Sequence, residues 1–222
     1  QEVKAPETLE MLELFPLSVY ARAVPWLGIL EPEKYKVPYH PEVLIHCRAN
    51  IVATTADVEK TVEALCKVPF QVSFVDFMNE TASLADLVLP DAHSLERLVP
   101  FATDPFTTFY ATALPGEDWW FAFQQPVLKP AGEARYWVEV LFEAAERIGC
   151  LPDIYAAFNA LGHFKEPFLL APREKYTWEQ ICDRWARARC GPDIGLDYFK
   201  QHGFYSLGKR TVKESYPRAF HN

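Results

Sequence analysis

Residues 43–75, VLIHCRANIVATTADVEKTVEALCKVPFQVSFV, decide the fold of this chain. The apolar, β-branched run 43–47 breaks into polar residues at 48–50, as a buried parallel strand does where it meets a loop. A second apolar run covers residues 70–75. Between the two runs, apolar residues recur at helical spacing, which predicts a helix from about residue 56 to residue 67. The stretch therefore predicts two adjacent parallel strands joined by a helical crossover.

The crossover has a consequence for ligand binding, because it places the loops after both strands along one edge of the sheet. Ligands of open α/β sheets bind at that edge. Thr54 and Thr55 are the expected N-caps of the crossover helix. A third short strand is predicted over residues 84–90, after a polar or helical turn at 79–83. The pattern as a whole predicts a doubly wound α/β core.

The rest of the chain is less regular. Residues 99–130 contain five prolines and many aromatic residues, so we expect an irregular segment that wraps over another surface. The segment EARYWVEVLFEAAERIG, from Glu133, predicts a helix whose apolar stripe runs from Trp137 to Ile148 and which ends at Gly149. Thr177 opens a capping box that predicts another helix, and the last thirty or so residues are expected to be irregular.

Composition excludes several classes of function. The 222 residues are 50% apolar and carry a formal net charge of −8, with 30 acidic and 22 basic residues and no dense basic run. A nucleic-acid partner is therefore not expected. No apolar stretch reaches the roughly 20 residues that span a bilayer, and the first residues lack the layout of a signal peptide. The five cysteines include no C-x-x-C pair, so we expect no metal ligands within the chain.

Three motifs identify a family. Residues 72–97, VSFVDFMNETASLADLVLPDAHSLER, closely resemble the large subunits of the molybdopterin oxidoreductase family of the dimethyl sulfoxide reductase type. In that family a strand leads into F-M-x-E-T-A, then A-D-x-V-L-P and an acidic E-R pair. The segment VLIHCRAN resembles the family's strand ending in G-x-N-P, and QPVLKPAGEAR, from Gln125, resembles its Q-P-V-x-x-P-x-G-E-A-R passage. The resemblance runs from about residue 38 to residue 149, and more loosely to residue 222.

The resemblance implies a segment of the third domain of such a subunit, a Rossmann-like unit whose loops hold one guanosine end of a molybdenum or tungsten bis(pterin guanine dinucleotide) cofactor. The metal ligand and any iron–sulfur cluster would lie outside this segment, so we expect no catalytic residue here and no activity of the chain alone.

Implied partners are the remaining domains, an iron–sulfur electron-transfer subunit and possibly a membrane anchor subunit. The expected organisation is a lead-in at 1–42, the Rossmann-like segment at 43–150 and a helical or irregular extension at 151–222.

Five residues are the candidate contacts to the cofactor's nucleotide: Arg48, Asn50, Asp76, Asn79 and Thr81. Asn50 could contact phosphate or ribose, or serve as a turn residue. Asn79 and Thr81 could contact guanosine or cap a helix, and capping is favoured for Thr81. Arg48 stands where the family has a glycine, and Asp76 lies one residue after the position where many members have an aspartate. A local bulge could restore that aspartate, or other groups could replace it.

Other polar and aromatic residues have simpler interpretations. Glu80 and Asp86 are expected to fix loops by hydrogen bonding, because carboxylates beside a pyrophosphate would repel it. His46 and His93 are expected to be core or surface residues, and residues 119–123 to form interdomain core rather than a substrate funnel. Two alternatives remain open for the whole chain. It could be a cofactor-free scaffold subunit of a membrane respiratory complex, or an independent Rossmann-like binding module.

Overall fold

The computed structural model contains two compact units. It describes residues 25–37, 39–55, 57–103, 118–209 and 211. The first unit comprises residues 1–91 and 132–137, and the second comprises 92–131 and 138–222. This division falls inside the segment predicted over 43–150. The predicted domain boundaries follow the family resemblance and stay a prediction.

The first unit is an α/β structure. Its described strands are β1 (Val43–Cys47), β2 (Phe70–Val75) and β3 (Leu87–Pro90). Its described helices are α1 (Pro25–Leu30), α2 (Pro32–Tyr35), α3 (Ile51–Thr54), α4 (Val58–Cys66) and a 3₁₀ turn at Ala82–Leu84. The predicted bounds of β1 and β2 are confirmed, and the third strand begins three residues later than expected.

The described strands of this unit form a parallel sheet in the order β1-β2-β3. Val43 lies opposite Phe70 and Cys47 lies opposite Phe74, so β1 and β2 are adjacent and parallel, as predicted. The order of these strands includes no reversal, and helices α1 and α4 pack together beside the sheet. An α/β unit with a parallel sheet is therefore confirmed, whereas the doubly wound arrangement stays a prediction.

The crossover begins differently from the prediction. Thr54 lies inside the short helix α3, and Thr55 is its C-cap. Asp57, with a left-handed φ of 60°, is the N-cap of α4, and its side chain accepts a hydrogen bond from the Lys60 amide at 3.2 Å. A carboxylate at the N-cap favours this start because it satisfies an otherwise unpaired helix amide. The N-cap prediction at Thr54 or Thr55 was wrong.

The core of the first unit lies between one face of the sheet and the helices. Trp26, Val52, Ala64 and Leu65 form a buried cluster, and Leu44 of β1 packs against it. Two polar side chains on this face are hydrogen bonded to each other: His46 Nε2 lies 3.1 Å from Gln71 Oε1, and Gln71 also donates to the Leu65 carbonyl at 2.9 Å. His46 is 3% exposed, so it is a core histidine, as expected.

The second unit contains an antiparallel sheet that the sequence did not predict. Its described strands are β4 (Val99–Thr103), β5 (Asp118–Gln124) and β6 (Phe204–Lys209), in the order β4-β5-β6. The prediction of an irregular segment over 99–130 was therefore wrong for two stretches. The sequence of β5 does show the pattern of a strand, because the aromatic residues Trp119, Phe121 and Phe123, which are buried, alternate with less buried residues. Such alternation is typical of a strand that is buried on one face.

Helices complete the second unit. They are α5 (Trp137–Ile148), whose first residue belongs to the first unit, α6 (Leu151–Leu161), α7 (Trp178–Cys190) and α8 (Leu196–His202). The predicted capping box between Thr177 and Gln180 is confirmed. Ile148 is 78% exposed, so the predicted apolar stripe of α5 does not extend to its end. The C-terminal region is also more regular than expected, because α8 and β6 lie within it.

The aromatic residues of β5 form a core within this unit. Phe121 is fully buried, and its ring contacts those of Phe123, Trp185 and Phe199 at centroid distances of 5.1–6.1 Å. Trp178 of α7 is also buried, and its indole N–H donates to the Leu98 carbonyl at 2.8 Å. The interpretation of these aromatics as core is confirmed, but the core belongs to one unit. Elsewhere, His93 caps the 3₁₀ turn at Ser94–Glu96.

None of the helices in the described part of the chain is long and apolar enough to cross a membrane.

The aromatic core allows a test of the second unit. Replacing Phe121 with alanine leaves a cavity among three aromatic rings, so we expect the free energy of unfolding to fall by about 3–5 kcal/mol. The matched control is Phe204→Ala in β6, where the side chain is 58% exposed and the expected loss is about 1 kcal/mol or less. Denaturant unfolding of both variants measures the difference. Equal losses would show that the ring cluster does not stabilise this unit.

Candidate functional site

The candidate site lies where the three described parallel strands of the first unit end. Residues 48–50 follow β1, residues 76–81 follow β2, and Asp91 follows β3. We call these residues the loop edge. Parallel strands bring their carboxyl ends to the same side of a sheet, so all five predicted site residues lie on the loop edge. The site belongs entirely to the first unit.

Arg48 connects the three loops. Its guanidinium donates to Asp76 Oδ2 at 2.8 Å and to Asp91 Oδ2 at 3.2 Å. The side chain of Asp91 is fully buried, and those of Arg48 and Asp76 are 25% and 21% exposed. Charge-assisted hydrogen bonds of this kind are among the strongest that side chains make. The ends of β1, β2 and β3 are therefore joined through one guanidinium.

The backbone of Arg48 explains the family's glycine at this position. Its φ is +56°, in the left-handed region that glycine adopts without cost. A side chain in this conformation costs roughly 1–2 kcal/mol. Arg48 keeps the chain path of a glycine turn and adds a cation. The two carboxylates that it bonds offset the strain.

Asp91 was not among the predicted site residues, yet it organises the edge. Besides Arg48, its carboxylate accepts the backbone amide of Trp137 at 2.9 Å, and its own amide donates to the Val75 carbonyl at 2.9 Å. Trp137 is the first residue of α5, so Asp91 satisfies an amide at a helix start. The sequence feature that could have identified Asp91 is its place directly after the V-L-P strand, which is equivalent to the place of Asp76 after β2.

Asn50 links the first two loops through its side-chain amide. Its Nδ2 donates to Glu80 Oε2 at 2.6 Å, and its Oδ1 accepts the Thr81 hydroxyl at 3.2 Å. The Thr81 oxygen in turn accepts the Val52 amide at 3.0 Å. Thr81 is fully buried and makes no cap on its own 3₁₀ turn. Thr81 therefore acts as a capping residue, as expected, but the helix that it caps is α3.

The other polar residues of the loop edge hold the loop after β2. Asn79 Oδ1 accepts the Ala82 amide at 2.9 Å, which caps the 3₁₀ turn. The hydrogen bond from Asn50 lowers the pKa of Glu80 below its usual value. Asp86 lies before β3 at the opposite edge and accepts the Gln71 amide at 2.7 Å. Glu80 and Asp86 therefore fix loops, as expected.

Asp76 does not enter β2 through a bulge. The pairing of β2 continues without a shift through Val75, which lies opposite Pro90. Asp76 is the first residue beyond the strand. There the alternation of side chains between the two faces of the sheet no longer determines where its side chain points. The bulge alternative is excluded, and Asp76 faces Arg48 from the loop.

The loop edge is rich in hydrogen-bond acceptors. The carboxylates of Asp76 and Asp91 accept hydrogen bonds from the Arg48 guanidinium, and a third, that of Glu80, accepts one from the Asn50 amide. A ligand group that donates hydrogen bonds suits this arrangement, whereas a phosphate would meet repulsion from the carboxylates. Among the described residues, no three His, Cys, Asp or Glu side chains are placed to hold a metal ion.

Burial raises the pKa of the Cys190 thiol to about 12, so this cysteine stays protonated.

The strain and the ion pairs of Arg48 can be separated by two substitutions. Arg48→Ala removes both ion pairs, including the one to the buried Asp91 carboxylate, so we expect a loss of about 2–3 kcal/mol of stability. Arg48→Gly loses the same pairs but relieves the left-handed backbone, so its loss should be smaller by about 1 kcal/mol. Denaturant unfolding at neutral pH measures both. If glycine is no better than alanine, the left-handed conformation carries no strain.

The Asn50–Glu80 hydrogen bond makes a prediction about pH. Because it lowers the pKa of Glu80, its stabilising effect is present above the ordinary glutamate pKa and is lost as pH falls through the lowered value. In Asn50→Ala the pKa of Glu80 should return upward. Carboxyl-carbon NMR titration of both proteins measures the change, with Glu59, an exposed glutamate of α4, as the internal control. An unchanged Glu80 pKa would contradict this hydrogen bond.

The geometry can be compared with known proteins. Over 114 residues, 49% of the chain, the sequence is 33% identical to the menaquinone reductase, molybdopterin-binding-like subunit of Nitratidesulfovibrio vulgaris strain Hildenborough. The matched part is 15% of that relative's length. No family model matches the chain.

A solved structure agrees in fold. The chain superimposes on acetylene hydratase from Pelobacter acetylenicus with a TM-score of 0.55 and 20% sequence identity, over 85% of this chain and 21% of that one. The chain thus spans about a fifth or less of the length of either protein. The description of the sequence relative as molybdopterin-binding-like supports the family resemblance, and the solved structure supports the fold alone. The resemblance of this chain to the molybdopterin oxidoreductase family is therefore confirmed.

Proposed function

We propose that this chain is an internal segment of the large subunit of a molybdenum or tungsten oxidoreductase, and that its loop edge holds one guanine base of a bis(pterin guanine dinucleotide) cofactor. The similarity to a molybdopterin-binding-like subunit supports the first part of the proposal. The chemistry of the loop edge supports the second. The Rossmann-like, doubly wound arrangement of the complete domain belongs to the same proposal.

The observation that carries the proposal is the Asp76 carboxylate at the end of β2. Arg48 binds its Oδ2 atom and so orients the group, and the side chain remains 21% exposed. Guanine presents two adjacent donors, the N1 and N2 hydrogens, to which a carboxylate can bond through both oxygens. The residues present therefore fit the base. The carboxylates of Glu80 and Asp91 make the same edge a poor site for the pyrophosphate.

The chain's residues would bind and orient the cofactor without taking part in the reaction. Asp76 would accept from guanine, Arg48 would position Asp76, and Asn50, Asn79 and Thr81 would maintain the shape of the neighbouring loops. When bound, the cofactor supplies two-electron or oxygen-atom transfer at its metal. The metal ligand and any iron–sulfur cluster would come from outside this segment. Its partners would be the rest of the large subunit, an iron–sulfur subunit and possibly a membrane anchor.

A second candidate is a family-derived scaffold subunit that binds no cofactor. Two observations favour it. Arg48 already neutralises the carboxylate that would receive guanine, and Asn50 already donates to Glu80. In addition, the relative in Nitratidesulfovibrio vulgaris is described as molybdopterin-binding-like. In this role the ion pairs of the loop edge would replace a ligand and stabilise the empty site.

The matched substitutions Asp76→Asn and Asp86→Asn, made in the large subunit, test the guanine site. Asp76→Asn should weaken guanine dinucleotide binding by roughly 10- to 100-fold, since hydrogen bonds to a charged group contribute about 1.5–3 kcal/mol. Asp86→Asn, at the opposite edge, should lower thermal stability and leave cofactor content unchanged. Mass spectrometry of the extracted cofactor, beside a thermal melt, gives both quantities.

The outcomes separate the two candidates. Cofactor lost from Asp76→Asn alone supports the guanine site. Equal content in both variants would show that Asp76 does not bind the base. If the wild-type subunit carries no guanine dinucleotide at all, the scaffold function is correct.

A further inference from the structure

Two large apolar side chains project from the loop edge into solvent. They belong to Phe77 and Met78, which directly follow Asp76, and they are 71% and 65% exposed. We call these two residues the apolar pair. Phe77 is the most exposed phenylalanine in the part of the chain that the structure describes. Water solvates a phenyl ring poorly, so a ring that a loop holds in solvent is a candidate contact for a ligand.

The loop that carries the apolar pair is held by polar side chains on both sides of it. Before the pair, Asp76 accepts from the Arg48 guanidinium at 2.8 Å. After the pair, Asn79 caps the following 3₁₀ turn, and Glu80 accepts from the Asn50 amide at 2.6 Å. The loop therefore presents the phenyl ring at a defined place beside the candidate site.

We propose that the Phe77 ring stacks on the face of the guanine base whose N1–N2 edge binds Asp76. This inference rests on the proposed function and adds a contact of a different chemical kind. Asp76 recognises the edge of the base by hydrogen bonding, whereas Phe77 binds its face through dispersion and the burial of apolar surface.

Covalent geometry places the ring within reach of such a base. Consecutive Cα atoms are about 3.8 Å apart across a trans peptide, which is the form between Asp76 and Phe77. Neighbouring side chains of an extended strand point to opposite faces, but the chain bends at residues 76 and 77, which removes that alternation. A base bonded to the Asp76 carboxylate therefore lies beside the residue that carries the ring.

A phenyl ring also suits the chemistry that the loop edge lacks. The carboxylates of the edge provide acceptors for the donors of a base edge, whereas the face of a purine is a π surface that needs an apolar or aromatic contact. Replacing an aromatic ring that stacks on a base by alanine weakens binding by roughly 5- to 100-fold. Because every base has a π face, stacking adds affinity without selecting the base. The choice of guanine is then left to Asp76.

Binding of two nucleosides separates the two contacts. Guanosine carries the N1 and N2 donors, whereas inosine lacks the 2-amino group and keeps the purine face. Neither nucleoside carries a phosphate that the carboxylates would repel. Equilibrium dialysis against the complete large subunit, prepared without its cofactor, gives the dissociation constants of both nucleosides. The chemical shift of the nucleoside H8 proton reports stacking directly, because the ring current of a stacked phenyl ring moves it upfield.

We expect Phe77→Ala to weaken the binding of guanosine and inosine by the same factor, roughly 5- to 100-fold, and to abolish the upfield shift. Phe77→Tyr, which keeps the ring, should bind like the wild type. Met78→Ala is the matched control, since it removes a similarly exposed side chain of the same loop that has no ring. It should change either dissociation constant by less than about twofold. Asp76→Asn should instead remove the preference for guanosine over inosine.

Three results would overturn the inference. Unchanged nucleoside binding by Phe77→Ala would show that the ring does not touch the base, and a lowered melting temperature of that variant would assign the ring to a contact within the large subunit. An equal loss in Met78→Ala would attribute the effect to the loop and not to the ring. A wild-type subunit that binds neither nucleoside would reject the guanine site as well.

The two proposals can also fail separately. If Asp76→Asn removes the preference for guanosine while Phe77→Ala binds normally, the guanine site stands without stacking. If Phe77→Ala weakens binding while Asp76→Asn has no effect, the ring stacks on a base whose edge Asp76 does not recognise.

Discussion

The arrangement of the first unit depends on the guanidinium of Arg48. It lies after β1 and bonds the first residue after β2 and the first residue after β3, so one side chain sets the spacing of three strand ends. The cost is a left-handed backbone at a non-glycine residue, roughly 1–2 kcal/mol. Asp91 makes the interaction worth this cost, because a buried carboxylate without its cation would be far less favourable.

The elements predicted well are those determined by local pattern. β1 and β2 are mostly apolar, and a helical crossover between them leaves parallel pairing as the simple solution. The antiparallel sheet was missed because β5 pairs with β6 some eighty residues away, so no local turn marks the pairing. Its one local sign was the alternation of Trp119, Phe121 and Phe123.

The candidate site shows the same limit. The positions of Asn50 and Asp76 after their strands followed from the sequence, but their hydrogen-bond partners did not. Whether Arg48 faces solvent or two carboxylates depends on the register of three strands, which no single motif encodes. Asp91 was missed for this reason, since its importance comes from burial beside Arg48 and the start of α5.

An acceptor-rich edge suits a segment that works inside a larger subunit, which is the function we propose. The most direct test is a structure of that complete subunit by electron cryo-microscopy. Our account predicts a guanine base at the loop edge, with its N1 and N2 atoms within hydrogen-bonding distance of the Asp76 carboxylate. A subunit in which the guanine lies elsewhere, or in which the edge is empty with Arg48 bonded to Asp76 and Asp91, would contradict it.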